Sequence, residues 1–152
     1  MLGYKVRCKI TGFTGIAIQK VVHINGCVQC IVKPSVKKNG EIADTQSIDD
    51  MQLESLEMVT KPVPIRPHTQ LDFEQKVKDS VTGAEGKIIA KVYCLDGTIR
   101  YGFQAKCKPG DTEIHTYWQD SELLRFKGKK VKPKKEDESG SGGPHVKPQE
   151  MI

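Results

Sequence analysis

Aromatic side chains make up only 6% of the 152 residues, with a single tryptophan, and hydrophobic residues reach 37%. A chain this poor in large apolar groups builds one modest core or two very small ones, which excludes the deep core of a large enzyme. No apolar run approaches the roughly 20 residues that span a bilayer. The opening MLGYK lacks the charged-then-apolar layout of a signal peptide. A soluble protein made in the cytosol, with no membrane contact, is therefore expected. Enzyme signatures are missing too. There is no Gly-rich phosphate loop opening a helix, no HExxH and no GxSxG, so no catalytic residue and no cofactor are expected. The five cysteines, Cys8, Cys27, Cys30, Cys94 and Cys107, are odd in number and lie in strand-like text. That argues against a secreted disulfide framework and for buried free thiols, with a disulfide between distant cysteines left open.

Charge of one sign is scarce outside the C-terminus. The net charge is +5, but residues 127 to 152 hold seven Lys against four acids, leaving the body nearly neutral. Nucleic-acid binding would therefore rest on the tail, unless folding gathers the body's basic residues on one face.

What the sequence does have is a repeat. Residues 5 to 33, KVRCKITGFTGIAIQKVVHINGCVQCIVK, lie over 76 to 104, KVKDSVTGAEGKIIAKVYCLDGTIRYGFQ, without a gap at an offset of 71. Further on, SIDDMQL (47 to 53) meets YWQDSEL (117 to 123) after a one-residue slip. Each copy reads as β structure, since Val6, Cys8 and Ile10 alternate with Arg7 and Lys9. Gly12 and Gly15, and again Gly83 and Gly86, suit a positive-φ turn where two strands meet closely. Asn25-Gly26 and Asp96-Gly97 are dipeptides of a type I′ hairpin. The third strand then sets Val28, Cys30 and Val32 on one face, as Ile99, Tyr101 and Phe103 do in the second copy. A polar loop leads to a short strand bearing Ile48 or Trp118, and an acidic cap at Asp50 or Asp120 opens one helical or 3₁₀ turn before the last strand.

The expected fold is all-β: two tandem small SH3-like barrels, with an OB-like barrel or a pair of open meanders as alternatives. The boundaries read as a first barrel over 1–59, a Pro-rich linker over 60–70, a second barrel over 71–126 and a tail over 127–152. Prolines at 62, 64 and 67 favour an extended, semi-rigid spacer holding two domains apart. The tail, basic and then Gly/Ser-rich, has too few apolar residues to repay ordering entropy on its own.

The most metal-like stretch is HINGCVQC, residues 23 to 30. The second copy keeps the hairpin as CLDGTIRY but replaces His23, Cys27 and Cys30 by Cys94, Thr98 and Tyr101. Residues three apart on a strand point to opposite faces, zinc needs about four converging ligands, and no second CxxC exists. A redox dithiol would open a helix, which this one does not. No metal site is expected. Asp49, Asp50, Glu54, Asp120 and Glu122 suggest a carboxylate pair, but their regular place in both copies favours helix capping. His68, His115 and His145 converge on nothing. Lys20 and Lys91 occupy equivalent positions and read as solvated strand faces before a matched basic pair.

The pattern KVxD-VTGxxG, an LNG or LDG hairpin and a closing WxDxxL resembles a group of small proteins encoded by tailed bacteriophages. The match runs through Val77, Asp79, Val81 to Gly83, Gly86, Leu95 to Gly97, Trp118, Asp120 and Leu123. The first copy matches at Val6, Thr11, Gly12, Phe13, Gly15, Asn25, Gly26, Cys27, Asp50 and Leu53. It departs at Ile48 for the Trp and at Cys8 or Lys9 for the Asp. The resemblance implies a phage origin and a small barrel, and carries no activity. The leading expectation is a non-enzymatic virion-associated accessory protein (decoration, neck or tail), found in the host cytoplasm during infection and in the virion. It would dock capsid, neck or tail subunits through two barrels and the tail lysines Lys127, Lys129, Lys130, Lys132, Lys134 and Lys135. Tethering two weak modules raises effective concentration without new contacts. The alternatives are a KOW-like nucleic-acid-binding module using those same lysines, and a host-takeover inhibitor of a bacterial protein.

Overall fold

The computed structural model describes residues 1–66 and 70–127. Each copy forms five antiparallel strands. In the first these are β1 (Tyr4–Cys8), β2 (Thr14–His23), β3 (Val28–Lys33), β4 (Gln46–Asp49) and β5 (Leu53–Met58). In the second they are β6 (Lys76–Asp79), β7 (Glu85–Cys94), β8 (Ile99–Gln104), β9 (Thr116–Asp120) and β10 (Leu124–Phe126). One 3₁₀ turn precedes the last strand of each, at Asp50–Gln52 and Ser121–Leu123. The all-β expectation holds. The strand order is β5-β1-β2-β3-β4 in one copy and β10-β6-β7-β8-β9 in the other.

The copies are not held apart. They join into one antiparallel sheet of ten strands, and that sheet does not close. The junction is β2 against β7, with Gln19 opposite Cys94, Val21 opposite Val92 and His23 opposite Ala90. β2 reaches both neighbours because it is ten residues long and bulged. Thr14 to Ile16 pair with β1, the β3 register skips at Ile18, and Gln19 to His23 then pair with β7. The same skip recurs at Ile89 in β7. A bulge bends and twists its strand, so the second half parts from β1 and takes β7 on that edge while keeping β3 on the other.

The Pro-rich segment packs instead of spacing. The Thr60 N–H donates to the Gly3 carbonyl at 3.0 Å and the Val63 N–H to the Leu95 carbonyl at 2.8 Å. Ile65 packs against the second core, as do Leu2 and Val22 of the first copy. Two small cores thus share a wall, which removes more apolar surface from water than either copy alone could.

The cores themselves differ in size. In the first, Val6, Cys8, Ala17, Cys30, Val32 and Leu53 are buried. At the same offset of 71 the second buries Val77, Ile88, Tyr101, Phe103 and Leu124, with Asp79 where Cys8 stands. Buried aromatics contribute about 150 to 250 Å² each, so the second core is the larger source of hydrophobic stabilisation. Ile10, expected to continue the core pattern, is 73% exposed because β1 ends at Cys8 and Ile10 sits within the turn that follows, closed by the Gly12 N–H on the Cys8 carbonyl.

The one-residue slip is absent. Cys30 pairs with Ile48 and Tyr101 with Gln119, which keeps the offset of 71 through the fourth strand. Trp118 therefore corresponds to Ser47, and buried Leu53 to buried Leu124. Trp118 is 44% exposed and lies over Gly102, where an added Cβ would come within 2.8 Å of the indole ring.

Candidate functional site

The HINGCVQC stretch brings no ligands together. Cys27 is exposed at the hairpin and Cys30 is buried, and its thiol donates to Asp50 Oδ1 at 3.6 Å. Burial, followed by the Asp50 charge, pushes the Cys30 thiol up to about 11. All five cysteines are free, and among the described residues no group of three or more His, Cys, Asp or Glu side chains could hold a metal ion.

The carboxylates do not cap. Neither 3₁₀ turn has a side-chain cap hydrogen bond. Asp49 accepts from Gln29 Nε2 at 3.3 Å, Asp120 pairs with Arg100 at 3.0 Å, and Glu54 pairs with Arg7. A three-residue turn has few free N–H groups and almost no dipole, so cross-strand partners win. Lys20 and Lys91 form no matched pair, since Lys20 lies opposite Tyr93 and Lys91 opposite Val22. Lys91 is not a fully solvated face either. Its ammonium sits 4.6 Å from the Phe73 ring centre, and burial pulls it below its ordinary pKa.

The turn glycines divide by role. Gly12, Gly26, Gly83 and Gly97 have positive φ. Gly15 and Gly86 do not; there a Cβ would lie 2.6 Å from the Lys33 carbonyl oxygen and 2.3 Å from that of Gln104. The hairpins are not type I′, because Asn25 and Asp96 have negative φ. Gly26 N–H donates to the His23 carbonyl and Gly97 N–H to that of Cys94, leaving a three-residue loop with a bulge glycine. Asn25 Oδ1 accepts from the Cys27 N–H, and Asp96 Oδ1 from both the N–H and the hydroxyl of Thr98.

One polar cluster is buried. Asp79, 3% exposed, accepts from the Val81 N–H, the Thr82 hydroxyl and Gln119 Nε2. Burial pushes its carboxyl up, but those donors outweigh it and hold it below the usual carboxylate value. At the matching positions of the first copy stand Cys8 and Ile48. A hydrogen-bonded pair in one copy is thus an apolar pair in the other.

An open groove of about 1200 Å³ lies on the second copy, with Ile24 of the first copy at its edge. Lys76 and Lys87 stand directly opposite each other on β6 and β7. Lys106 and Lys108 come from the loop between β8 and β9, His115 from its far end and Tyr117 from the start of β9. The two rings stack at 6.4 Å and 24°. Glu74, Glu85 and Asp111 share the lining. Asp111 accepts from the Lys108 backbone N–H. Glu85 pairs with Lys78 and with Lys127, whose hydrogen-bonded ammonium holds Glu85 below its usual value. The Lys127 N–H also donates to the Lys76 carbonyl at 2.9 Å, which sets Lys127 beside the groove. Lys129, Lys130, Lys132, Lys134 and Lys135 lie outside the described residues, as do His68 and His145.

A second depression, of about 770 Å³, lies on the first copy between Thr11, Phe13, Gln29, Ser47 and Asp49, and no lysine lines it. Sequence reasoning missed the groove because its lysines are scattered over 33 residues that only the β6–β7–β8 pairing brings together. The alternating Lys76 and Lys78 was the available signal.

Among the described residues no helix is long and apolar enough to cross a membrane. No protein-family model matches the chain, and no curated protein or solved structure matches it either.

Proposed function

We propose that this is a non-enzymatic, virion-associated accessory protein of a tailed bacteriophage, a decoration, neck or tail component that docks neighbouring viral subunits. In this reading each copy is a small SH3-like unit, and the strand order β5-β1-β2-β3-β4 with a 3₁₀ turn before the last strand supports it. The observation that carries the reading is the β2–β7 junction. It fuses two related docking units into one body at a fixed angle, which suits simultaneous contact with adjacent subunits better than a flexible tether does.

The surface supports docking as well. Met51 is 89% exposed, and Trp118 and Phe126 stand about half out of the surface. Apolar anchors of this kind drive protein interfaces when they enter a partner's pocket. Among the described residues β4, β5 and β9 each pair with one strand only, and such a strand edge can take an added strand. The tail beginning at Lys127 belongs to the same proposed surface.

The test is mass spectrometry of purified particles from infected cells, followed by attachment assays with Trp118→Ala and Met51→Ser. The protein should be present at a fixed ratio to a structural subunit, and the substitutions should weaken attachment without unfolding the chain. A protein found in infected lysate but missing from particles overturns the proposal.

A further inference from the structure

The lysine groove goes beyond subunit docking. Along the β6–β7 ladder, Lys78 faces Glu85 and is paired, whereas Lys76 faces Lys87 with no acid between them. Like charges directly opposite on neighbouring strands oppose folding. Among the described residues neither lysine has an ion-pair partner, and neither do Lys106 and Lys108. A polyanion in the groove would relieve that repulsion. Glu85, the acid closest to the ladder, is already claimed by Lys78 and Lys127, so it competes weakly for a ligand.

The feature is complete in one copy only. At the offset of 71, Lys76 and Lys108 correspond to Lys5 and Lys37, whereas Lys87, Lys106, His115 and Tyr117 correspond to Ile16, Ser35, Asp44 and Gln46. The second copy thus adds two further cations, one of them directly opposite Lys76, and the ring pair. The stacked His115 and Tyr117 rings, both exposed, add something that acidic protein does not use, namely a flat π surface beside the cations. Duplex bases are stacked on one another and cannot reach such a platform, whereas single-stranded bases can.

From this we infer that the groove formed by β6, β7 and the β8–β9 loop binds single-stranded nucleic acid, with Lys76, Lys87, Lys106 and Lys108 on phosphates and the His115–Tyr117 pair stacking a base.

The experiment is fluorescence anisotropy of a labelled 15-nucleotide oligothymidylate with the full chain, titrated in salt. Changing Lys76, Lys87, Lys106 and Lys108 together to Gln should reduce the magnitude of the log affinity against log salt slope by about 3, at roughly 0.7 ion per single-strand contact. Tyr117→Leu, which keeps an apolar contact for Phe103, should lower affinity about five-fold or more. Changing Lys5, Lys33, Lys37 and Lys38 of the first copy should leave the slope as in the wild type. Circular dichroism checks each fold, and the single variants Lys87→Gln and Lys106→Gln carry the test if the quadruple variant is unstable. No binding at physiological salt, an unchanged slope in the groove variants, or equal displacement by polyglutamate of matched charge would overturn the inference.

Discussion

Val21 stands directly opposite Val92 across the β2–β7 junction, and the two are the same residue of the repeat. Every other pair in that ladder follows in mirrored order, so a local two-fold axis passes between these valines. Both are nearly buried, at 7% and 6% exposure. An isologous contact of this kind is how two identical chains dimerise. Here it joins two copies within one chain, and the Pro-rich segment spans from one to the other.

A shared sheet and a shared core wall make the two copies one cooperative unit. Urea unfolding followed by Trp118 fluorescence reports the second copy, and pulsed alkylation of Cys8 and Cys30 reports the first. The two midpoints should coincide. Midpoints that separate would mean the junction contributes little to either half.

Asp79 and Gln119 should behave as a pair. Asp79→Ala leaves the Gln119 amide and the Val81 N–H without their acceptor and should cost about 1 to 3 kcal/mol. Replacing both at once, Asp79→Cys with Gln119→Ile, installs the first copy's apolar solution and should cost less than the sum of the single changes. A strictly additive cycle would refute the coupling.

The pH dependence of stability follows from the same carboxyl. Its folded pKa lies below the unfolded value of about 3.9. Its contribution is therefore fully present above that unfolded value and is lost as pH falls through the folded pKa. Asp79→Asn should flatten the acid limb of the stability profile. An acid limb identical to the wild type would place the linkage elsewhere, for example at Asp96, also held low by Thr98, or at Glu85.

The thiols should separate by burial. Cys27 and Cys107 are exposed and Cys94 is half-buried, whereas Cys8 and Cys30 are buried. With Cys30 pushed up to about 11, very little of it is thiolate at pH 8. Alkylation followed by mass spectrometry should label Cys27 and Cys107 first and Cys30 only on unfolding. Early labelling of Cys30 in the native state would contradict its burial.

Two matched glycines offer an internal comparison. Gly26→Ala and Gly97→Ala both force alanine into positive φ, at about 1 to 3 kcal/mol. At Gly26 the new Cβ meets open space, but at Gly97 it would lie 2.6 Å from the Pro64 carbonyl oxygen. Thermal melts should show Gly97→Ala as the more destabilising of the two. Equal melting temperatures would show that the segment yields without cost.

The sequence alone determined the elements of each copy, because alternation, turn glycines and a repeated hairpin are local signals with local causes. Val6, Cys30 and Val32 fall in the core as their spacing requires, and so do Tyr101 and Phe103. The duplication itself was legible at an offset of 71, although the closing strands misled. Both Asp50 and Asp120 precede a leucine by three residues, and that similarity pulled the alignment one place off the backbone register. What only the tertiary structure decided is non-local. Nothing in the text of β2 says that its second half abandons β1 for β7, since a bulge redirects the strand and the partner's identity is set by surfaces 71 residues apart. Prolines 62 and 64 keep the segment extended as expected, yet extension does not imply separation when Val63 and Ile65 find contacts on the second copy. The groove has the same origin. Lys76, Lys87, Lys106 and Lys108 are unremarkable one by one in a nearly neutral body, and they become a cationic surface only because antiparallel pairing lays their strands and loop side by side.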